Sequence, residues 1–203
     1  YERTSVALDT ALDKLVDREN GVIKVLAPPF ARSHAEERLD DRRQRPVGYI
    51  TAYPPGLREN GGQYTHAAAW LVIALFKSGR ADDAVDLMRI ISTAHKYKDS
   101  LGEKYKGEPY ALAGDVYSHP ECPGRAGWTQ YTGSAGWFYT AVLRHLIGLR
   151  PRSDKLYLSP NLPSEWNECQ VSITLGNTPL EITIRRGSPE LSVNGVPAGY
   201  VPL

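Results

Sequence analysis

Ten consecutive apolar residues at positions 67–76 constrain the fold of this chain more than any other feature. A helix over this run is apolar on every side, so other elements must surround it, whereas a membrane-spanning helix would need roughly 20 such residues. The next predicted helix, at residues 81–94, is apolar on one side only and follows a short turn at Ser78 and Gly79. A buried helix followed by a one-sided helix is typical of a toroid, in which inner helices line an interior and outer helices cover it.

Beyond this pair, the hydrophobic period divides the chain near residue 150. Apolar residues recur at helical spacing over residues 4–18 and 134–147, which predicts two further helices. Later runs predict short strands at residues 155–158, 170–175, 180–185 and 191–193, with turns at residues 176–177 and 194–195. We therefore expect residues 1–150 to be helical and residues 151–203 to form a small antiparallel β unit, a fold class that is mainly α with a small β part.

The charge balance and the cysteines exclude several classes of protein. The 203 residues carry 24 Lys and Arg against 23 Asp and Glu, a net charge of +1, which gives no electrostatic case for nucleic acid or an anionic membrane. Cys122 and Cys169 lack a zinc-binding spacing, so we expect no metal and two idle thiols. The charged segment 34–45 is predicted to be exposed helix or loop, whereas the long irregular segment 96–131 is of the kind that is usually functional.

Polar and aromatic residues cluster in three loops, which lie at residues 53–66, 107–117 and 124–134. Carboxylates such as Glu59 accept hydrogen bonds from sugar hydroxyls. The rings of Trp128, Tyr131 and Trp137 offer flat apolar faces to sugar rings. Simpler interpretations stand beside these, because Glu59 could cap the following helix and Trp137 could belong to the core.

The third loop ends where a helix begins, and this junction predicts an anion site. The free backbone N–H groups of Gly133 and Ser134, with the hydroxyl of Thr132, can together bind an anion. The helix dipole adds about 0.3–1 kcal/mol of preference for negative charge, and His66, in the first turn of another helix, could donate to the same anion. A structural histidine and an ordinary helix start remain the alternatives at this stage.

Three strings, in this order, resemble a signature of the inverting glycoside phosphorylases that include the cellobiose and chitobiose phosphorylases. They are Y-P-P-G-L-R-E-N-G-G-Q-Y-T-H-A-A-A-W, E-P-Y-A-L-A-G-D-V-Y and G-R-A-G-W-T-Q-Y-T-G-S-A-G-W. The variants L-A-P-P-F, Y-P-P-G and Y-T-G-S-A-G-W are similar to the C-terminal part of cyclic β-1,2-glucan synthases. The resemblance covers roughly residues 8–190 and implies a portion of an (α/α)6 toroid followed by a short antiparallel β unit.

In that family, inorganic phosphate attacks the glycosidic bond with inversion and releases a sugar 1-phosphate. By motif, the resemblance implies that His66, Thr132 and Gly133 bind phosphate. It also implies substrate contacts by Glu59, Tyr64, Glu108, Trp128 and Tyr131. The expected substrate is an oligosaccharide such as β-1,2-glucan, with phosphate as co-substrate and no other cofactor. The expected location is cytoplasmic, in a parent protein that an inner-membrane segment could anchor.

The chain departs from the family pattern in two ways. The family's general acid, an aspartate in a D-W-N-D-like motif, and a phosphate-binding arginine lie upstream of the three strings, so we expect no catalytic residue here. Ala113–Gly114 stands where the disaccharide phosphorylases tend to carry a glutamine, which fits another sugar linkage.

The start at Tyr1 and the small number of predicted helices indicate an excised piece of a longer protein. We expect this piece to be inactive alone and to expose apolar helix faces that favour self-association. Two alternative functions are an (α/α)6 glycoside hydrolase, which would need a second carboxylate to activate water, and a non-catalytic glucan-binding module.

Overall fold

Helices dominate the first part of the chain and strands the last part. The computed structural model describes residues 2–30, 48–98, 100–187 and 190–202. The charged segment at residues 34–45 lies outside these ranges. The helices are α1 (Glu2–Leu15), a 3-10 helix (Gly48–Ala52), α2 (Thr65–Lys77), α3 (Ala81–Ile91), α4 (Thr93–Lys98), α5 (Gly102–Tyr105) and α6 (Thr132–Thr140), which continues as a π-helical stretch (Ala141–Leu146).

The strands form small antiparallel sheets. Those in the helical part are β1 (Val16–Asp17), β2 (Val22–Ile23), β3 (Gln63–Tyr64) and β4 (Asp115–Val116). Those after residue 148 are β5 (Leu149–Arg152), β6 (Lys155–Leu158), β7 (Glu168–Leu175), β8 (Thr178–Arg185), β9 (Ser192–Val193), β10 (Val196–Pro197) and β11 (Val201–Pro202). Their pairs are β1–β2, β3–β4, β7–β8 and β9–β10, with a three-stranded sheet in the order β11-β6-β5. A combination of helices with small antiparallel sheets is therefore confirmed.

The apolar helix α2 ends in a hydrogen-bonded glycine cap. Gly79 has φ +74°, and the N–H groups of Gly79 and Arg80 donate to the carbonyls of Phe76 and Leu75 at 3.1 and 3.0 Å. This Schellman motif needs a residue that tolerates a left-handed backbone. The prediction that α2 is buried on every side is wrong at Trp70, which is 51% exposed because only the rings of His66 and Trp137 contact its ring among the described aromatic residues.

The other predicted helices form with shifted ends. α1 stops at Leu15 because Val16–Asp17 pairs with Val22–Ile23 instead of extending the helix. α6 starts at Thr132, earlier than predicted, and then widens, since the N–H of Ile147 donates five residues back to Val142 at 2.9 Å. The segment 96–131 is less irregular than expected, because it includes α5 and β4.

One apolar cluster joins the helices to the strands. α2 and α3 contribute Val72, Leu75 and Leu87, all fully buried. The same cluster continues through Leu146 and Leu156 into the β part. Burying each such side chain favours folding by about 1.5–3 kcal/mol, so the β part is tied to the helices by packing. The division near residue 150 stays a prediction.

Two-residue turns close both predicted hairpins. Leu175 pairs with Thr178 around residues 176–177, and β7 and β8 run in register for eight pairs. In the second hairpin, Asn194 and Gly195 have φ +52° and +81°, as a type I′ turn requires. Across the described ranges, no helix combines the length and apolarity needed to cross a membrane. The cytoplasmic location stays a prediction.

Candidate functional site

The first turns of α2 and α6 lie side by side. β3 pairs with β4 in the register Gln63↔Val116 and Tyr64↔Asp115, and the N–H of Thr65 then donates to the carbonyl of Gly114 at 2.9 Å. A Cβ built on Gly133, at the start of α6, would lie only 3.1 Å from Nδ1 of His66. The imidazole therefore faces the backbone of the second helix start.

A cavity of about 190 Å³ lies at this junction. Its lining consists of Tyr64, His66, Gly114, Tyr131, Thr132, Gly133 and Ser134. Neither helix start has a side-chain cap, since Tyr64 and Tyr131 occupy the N-cap positions without side-chain cap hydrogen bonds. The interpretation of Glu59 as the cap of α2 is therefore wrong. Uncapped first-turn N–H groups and the positive end of the helix dipole favour an anion.

Two tryptophan rings surround the imidazole of His66, which lines the cavity. The ring of His66 contacts Trp70 edge-on at 4.7 Å and lies 5.8 Å from the ring of Trp137. Trp137 is 38% exposed, so its interpretation as a core residue is wrong. Nε2 of His66 is buried and has no hydrogen-bond partner within the described part of the chain. Buried polar atoms without partners are uncommon in folded proteins.

A charged cluster lies in the loops next to the cavity. Oε2 of Glu59 is also buried without a hydrogen-bond partner among the described residues, 3.8 Å from Nε of Arg58. Asp115 is 3% exposed, and its Oδ1 accepts from the backbone N–H of Trp128 at 2.8 Å. Burial raises the pKa of Asp115; the N–H of Trp128 and the charge of Arg58 oppose this shift, whereas Glu59 adds to it.

The predicted residues fall into three groups. Tyr64, His66, Tyr131, Thr132 and Gly133 line the one cavity. Glu59 and Trp128 belong to the adjoining loops. Glu108 is elsewhere, lining a polar cavity of about 400 Å³ that shares no lining residue with the first. Its Oε1 accepts a hydrogen bond from Oγ1 of Thr129 at 3.1 Å.

Arg58 is the residue that sequence reasoning missed. Its guanidinium carbon lies 3.4 Å from the ring centroid of Trp128 and 4.9 Å from that of Tyr53. Arg58 has φ +47°, a conformation that few residues other than glycine adopt. No local pattern in the sequence predicts the stacking of Arg58 on Trp128, because these two residues are 70 positions apart. Within the described residues, no group of three or more His, Cys, Asp or Glu could hold a metal ion.

Comparison with known families gives two matches. Residues 1–148 match the family described as glycosyl hydrolase 94 superfamily, catalytic domain. Residues 149–198 match the glycosyl hydrolase family 65, C-terminal domain.

Curated relatives include a synthase and several phosphorylases. The cyclic beta-(1,2)-glucan synthase NdvB of Rhizobium meliloti (strain 1021) is 41% identical over 198 residues, covering 95% of this chain and 7% of the relative. The solabiose phosphorylase of Paenibacillus borealis is 32% identical over 186 residues, covering 89% of this chain and 22% of the relative. The N,N'-diacetylchitobiose phosphorylase of Vibrio proteolyticus is 27% identical over 165 residues, covering 77% and 20%. The chain thus spans less than a quarter of each relative.

Proposed function

The chain belongs to the glycosyl hydrolase 94 superfamily, and from this premise we propose that it supplies the phosphate-binding part of a longer enzyme that cleaves β-glucosidic bonds by phosphorolysis. In this proposal the helices are a portion of an (α/α)6 toroid, followed by the β unit. The observation that carries the proposal is the position of His66 beside the uncapped start of α6, with Gly133 leaving space between them.

Inorganic phosphate fits the chemistry of this cavity. The N–H groups of the first turn of α6 bind one side of the anion, and the imidazole of His66 and the hydroxyl of Thr132 bind another. Hydrogen bonds to a charged group contribute about 1.5–3 kcal/mol each, so a few of them hold phosphate in one orientation. Tyr64 and Tyr131 add aromatic surface to the lining, and the lower local dielectric there strengthens these hydrogen bonds.

The proposed reaction is a single displacement. An oxygen of the bound phosphate forms a bond to the anomeric carbon while the bond to the glycosidic oxygen breaks on the opposite face, which inverts the configuration. The leaving oxygen takes its proton from a general acid, which the family resemblance places upstream of this chain. The products are a sugar 1-phosphate and a shortened saccharide. Glu59 accepts hydrogen bonds from sugar hydroxyls near the bond that breaks.

We propose β-1,2-glucan as the substrate of the parent enzyme. The support is the 41% identity to a protein named as a cyclic beta-(1,2)-glucan synthase. Phosphorolysis would then shorten glucan chains. This chain alone lacks the general acid, so we expect no phosphorolysis by the 203 residues in isolation.

Phosphate dependence tests the proposed reaction. In the full-length enzyme, β-1,2-glucan should release glucose 1-phosphate only when inorganic phosphate is added. Release of free glucose without phosphate would instead identify a hydrolase. Binding of glucan without cleavage in either condition would identify a binding module.

Two substitutions test the proposed phosphate site. His66→Ala and Thr132→Ala in the full-length enzyme should raise the KM for phosphate by about tenfold or more, because each removes a hydrogen bond to a charged group. The matched control is His95→Ala, since His95 is exposed and its Nδ1 lies 3.2 Å from the hydroxyl of Ser92, away from the cavity lining. Unchanged phosphate kinetics in both site variants would contradict the assignment.

A further inference from the structure

Building on the proposed function, we infer that Arg58 and Asp115 position the ring pair Trp128–Tyr131 as the wall against which a sugar unit lies beside the phosphate cavity. Arg58 lies in the loop before β3 and Asp115 in β4; Arg58 contacts the ring of Trp128, and Asp115 contacts its backbone N–H.

Asp115 fixes the backbone on which the ring pair is carried. Its Oδ1 accepts from the N–H of Trp128 at 2.8 Å, and its own carbonyl accepts from the N–H of Gly127 at 2.9 Å. The carbonyl of Trp128 accepts from the N–H of Gly114. A side chain at position 127 would collide with the carboxylate of Asp115. These hydrogen bonds and this close contact hold residues 127 and 128 in a fixed position against β4.

Arg58 fixes the ring of Trp128. Its guanidinium carbon lies 3.4 Å from the ring centroid, which is a close cation–π contact. The side chain of Arg58 is only 20% exposed, and Tyr53 flanks it on another side. A guanidinium held in this way restricts the rotation of the indole.

The ring pair extends from Arg58 to the cavity. The rings of Trp128 and Tyr131 meet edge-to-face, with centroids 5.3 Å apart and planes at 89°. Tyr131 lines the phosphate cavity. Tyr131 is 46% exposed and Trp128 is 45% exposed. A Cβ at Gly114 would lie 2.6 Å from Cδ2 of Tyr131, so the ring packs directly on the glycine backbone. Exposed aromatic surface next to a polar cavity is the surface that the C–H face of a sugar ring covers.

The electrostatics favour a positioning role for Asp115 over proton transfer. Its carboxylate is occupied by the N–H of Trp128, and the nearby guanidinium of Arg58 offsets the negative charges of Asp115 and Glu59. The positioning role of Asp115 therefore depends on Oδ1 as a hydrogen-bond acceptor, and the side-chain amide of asparagine also has an acceptor oxygen.

Saccharide binding to the full-length enzyme in the absence of phosphate tests the inference, with a linear β-1,2-linked glucose trisaccharide as the probe. Arg58→Ala should weaken trisaccharide binding by about 3- to 30-fold, the range of a desolvated cation–π contact. Asp115→Ala should weaken it by roughly tenfold or more, whereas Asp115→Asn should stay within about twofold of the wild type. In steady-state assays the KM for phosphate should change by less than about twofold in these variants.

The matched control is Arg152→Ala, which removes an arginine that stacks on Tyr157 at 5.7 Å in the β part. It should leave trisaccharide binding unchanged. Equal losses in Asp115→Asn and Asp115→Ala would overturn the positioning role, and so would an equal rise in the KM values for saccharide and phosphate. If the wild type cleaves glucan by phosphorolysis and Arg58→Ala and Asp115→Ala bind the trisaccharide as tightly as the wild type does, the inference fails and the proposed function stands. A wild type that binds trisaccharide but shows no phosphate dependence would overturn the proposed reaction and leave the inference standing.

Discussion

A single methyl group at position 133 tests the anion cavity. Gly133 is not among the glycines with a left-handed backbone, so alanine adopts its conformation without strain. The added Cβ would lie 3.1 Å from Nδ1 and 3.4 Å from Cε1 of His66, and the shorter distance is tighter than ordinary van der Waals contact. The imidazole or the helix start must therefore move by a few tenths of an ångström.

The expected effects on stability and on binding have opposite signs. Alanine stabilises a helix interior relative to glycine by about 0.5–1 kcal/mol, so Gly133→Ala should leave the free energy of unfolding unchanged or slightly raised. The methyl group occupies the space between the helix start and His66 and removes at least one hydrogen bond to the anion. That loss of about 1.5–3 kcal/mol corresponds to phosphate binding weaker by about 10- to 100-fold.

Gly136→Ala is the matched control in the same helix. A Cβ at Gly136 meets no atom within 4 Å, so this variant should gain similar helix stability without touching the cavity. Thermal denaturation reports the stability of each variant, and titration calorimetry with inorganic phosphate reports the binding. The reasoning is refuted if Gly133→Ala and Gly136→Ala bind phosphate equally well.

Three further predictions concern packing and charge. Nζ of Lys96 is buried and donates to the carbonyl of Gly21 at 2.5 Å, and burial lowers the Lys96 pKa to about 8. Above pH 8 the unfolded chain therefore binds more protons than the folded protein. The free energy of unfolding should rise by about 2–3 kcal/mol between pH 8 and 10 in urea titrations, and Lys96→Met should abolish this rise. Gly114→Ala should weaken trisaccharide binding in the full-length enzyme, because the new Cβ would collide with the ring of Tyr131. Tyr131→Ala in the same chain removes that ring, so the two substitutions should be coupled, and additive effects in the double-mutant cycle would contradict the contact between residues 114 and 131. Leu87→Ala, at a fully buried position, should lower the free energy of unfolding by about 2–5 kcal/mol in urea titrations. A loss below about 1 kcal/mol would mean that the surrounding side chains fill the void left by the leucine.

Local signals in the sequence were sufficient for the start of α2 and for the hairpin turns. The beginning of α2, the glycine that ends it and the turns at residues 176–177 and 194–195 depend on neighbours within a few residues. Such features follow from backbone preferences, which the residue types determine. The same reasoning placed His66 in a first helical turn, where the structure has it, whereas Thr132 was expected just before a helix and is the first residue of α6.

Long-range packing decided the features that the sequence analysis missed. The stacking of Arg58 on Trp128 joins two loops that are distant along the chain, and the hydrogen bond from Trp128 to Asp115 joins one of these loops to β4. Trp70 was predicted to be buried because its neighbours are apolar, yet exposure depends on which element covers that face. β5 escaped notice because Pro151, a residue that is rare in central strands, lies within it.

Two glycines that line the cavity are explained by their surroundings and not by their backbone conformation. Gly79 has φ +74° and no atom within 4 Å of its potential Cβ, so backbone conformation alone explains it. Gly114 and Gly133 have the opposite combination, an ordinary backbone and a potential Cβ that meets Tyr131 or His66. At Gly114 a side chain would collide with the ring of Tyr131, and at Gly133 it would crowd the imidazole of His66. Because both glycines line the same cavity, the absence of their side chains lets a small ligand approach the backbone N–H groups at the start of α6.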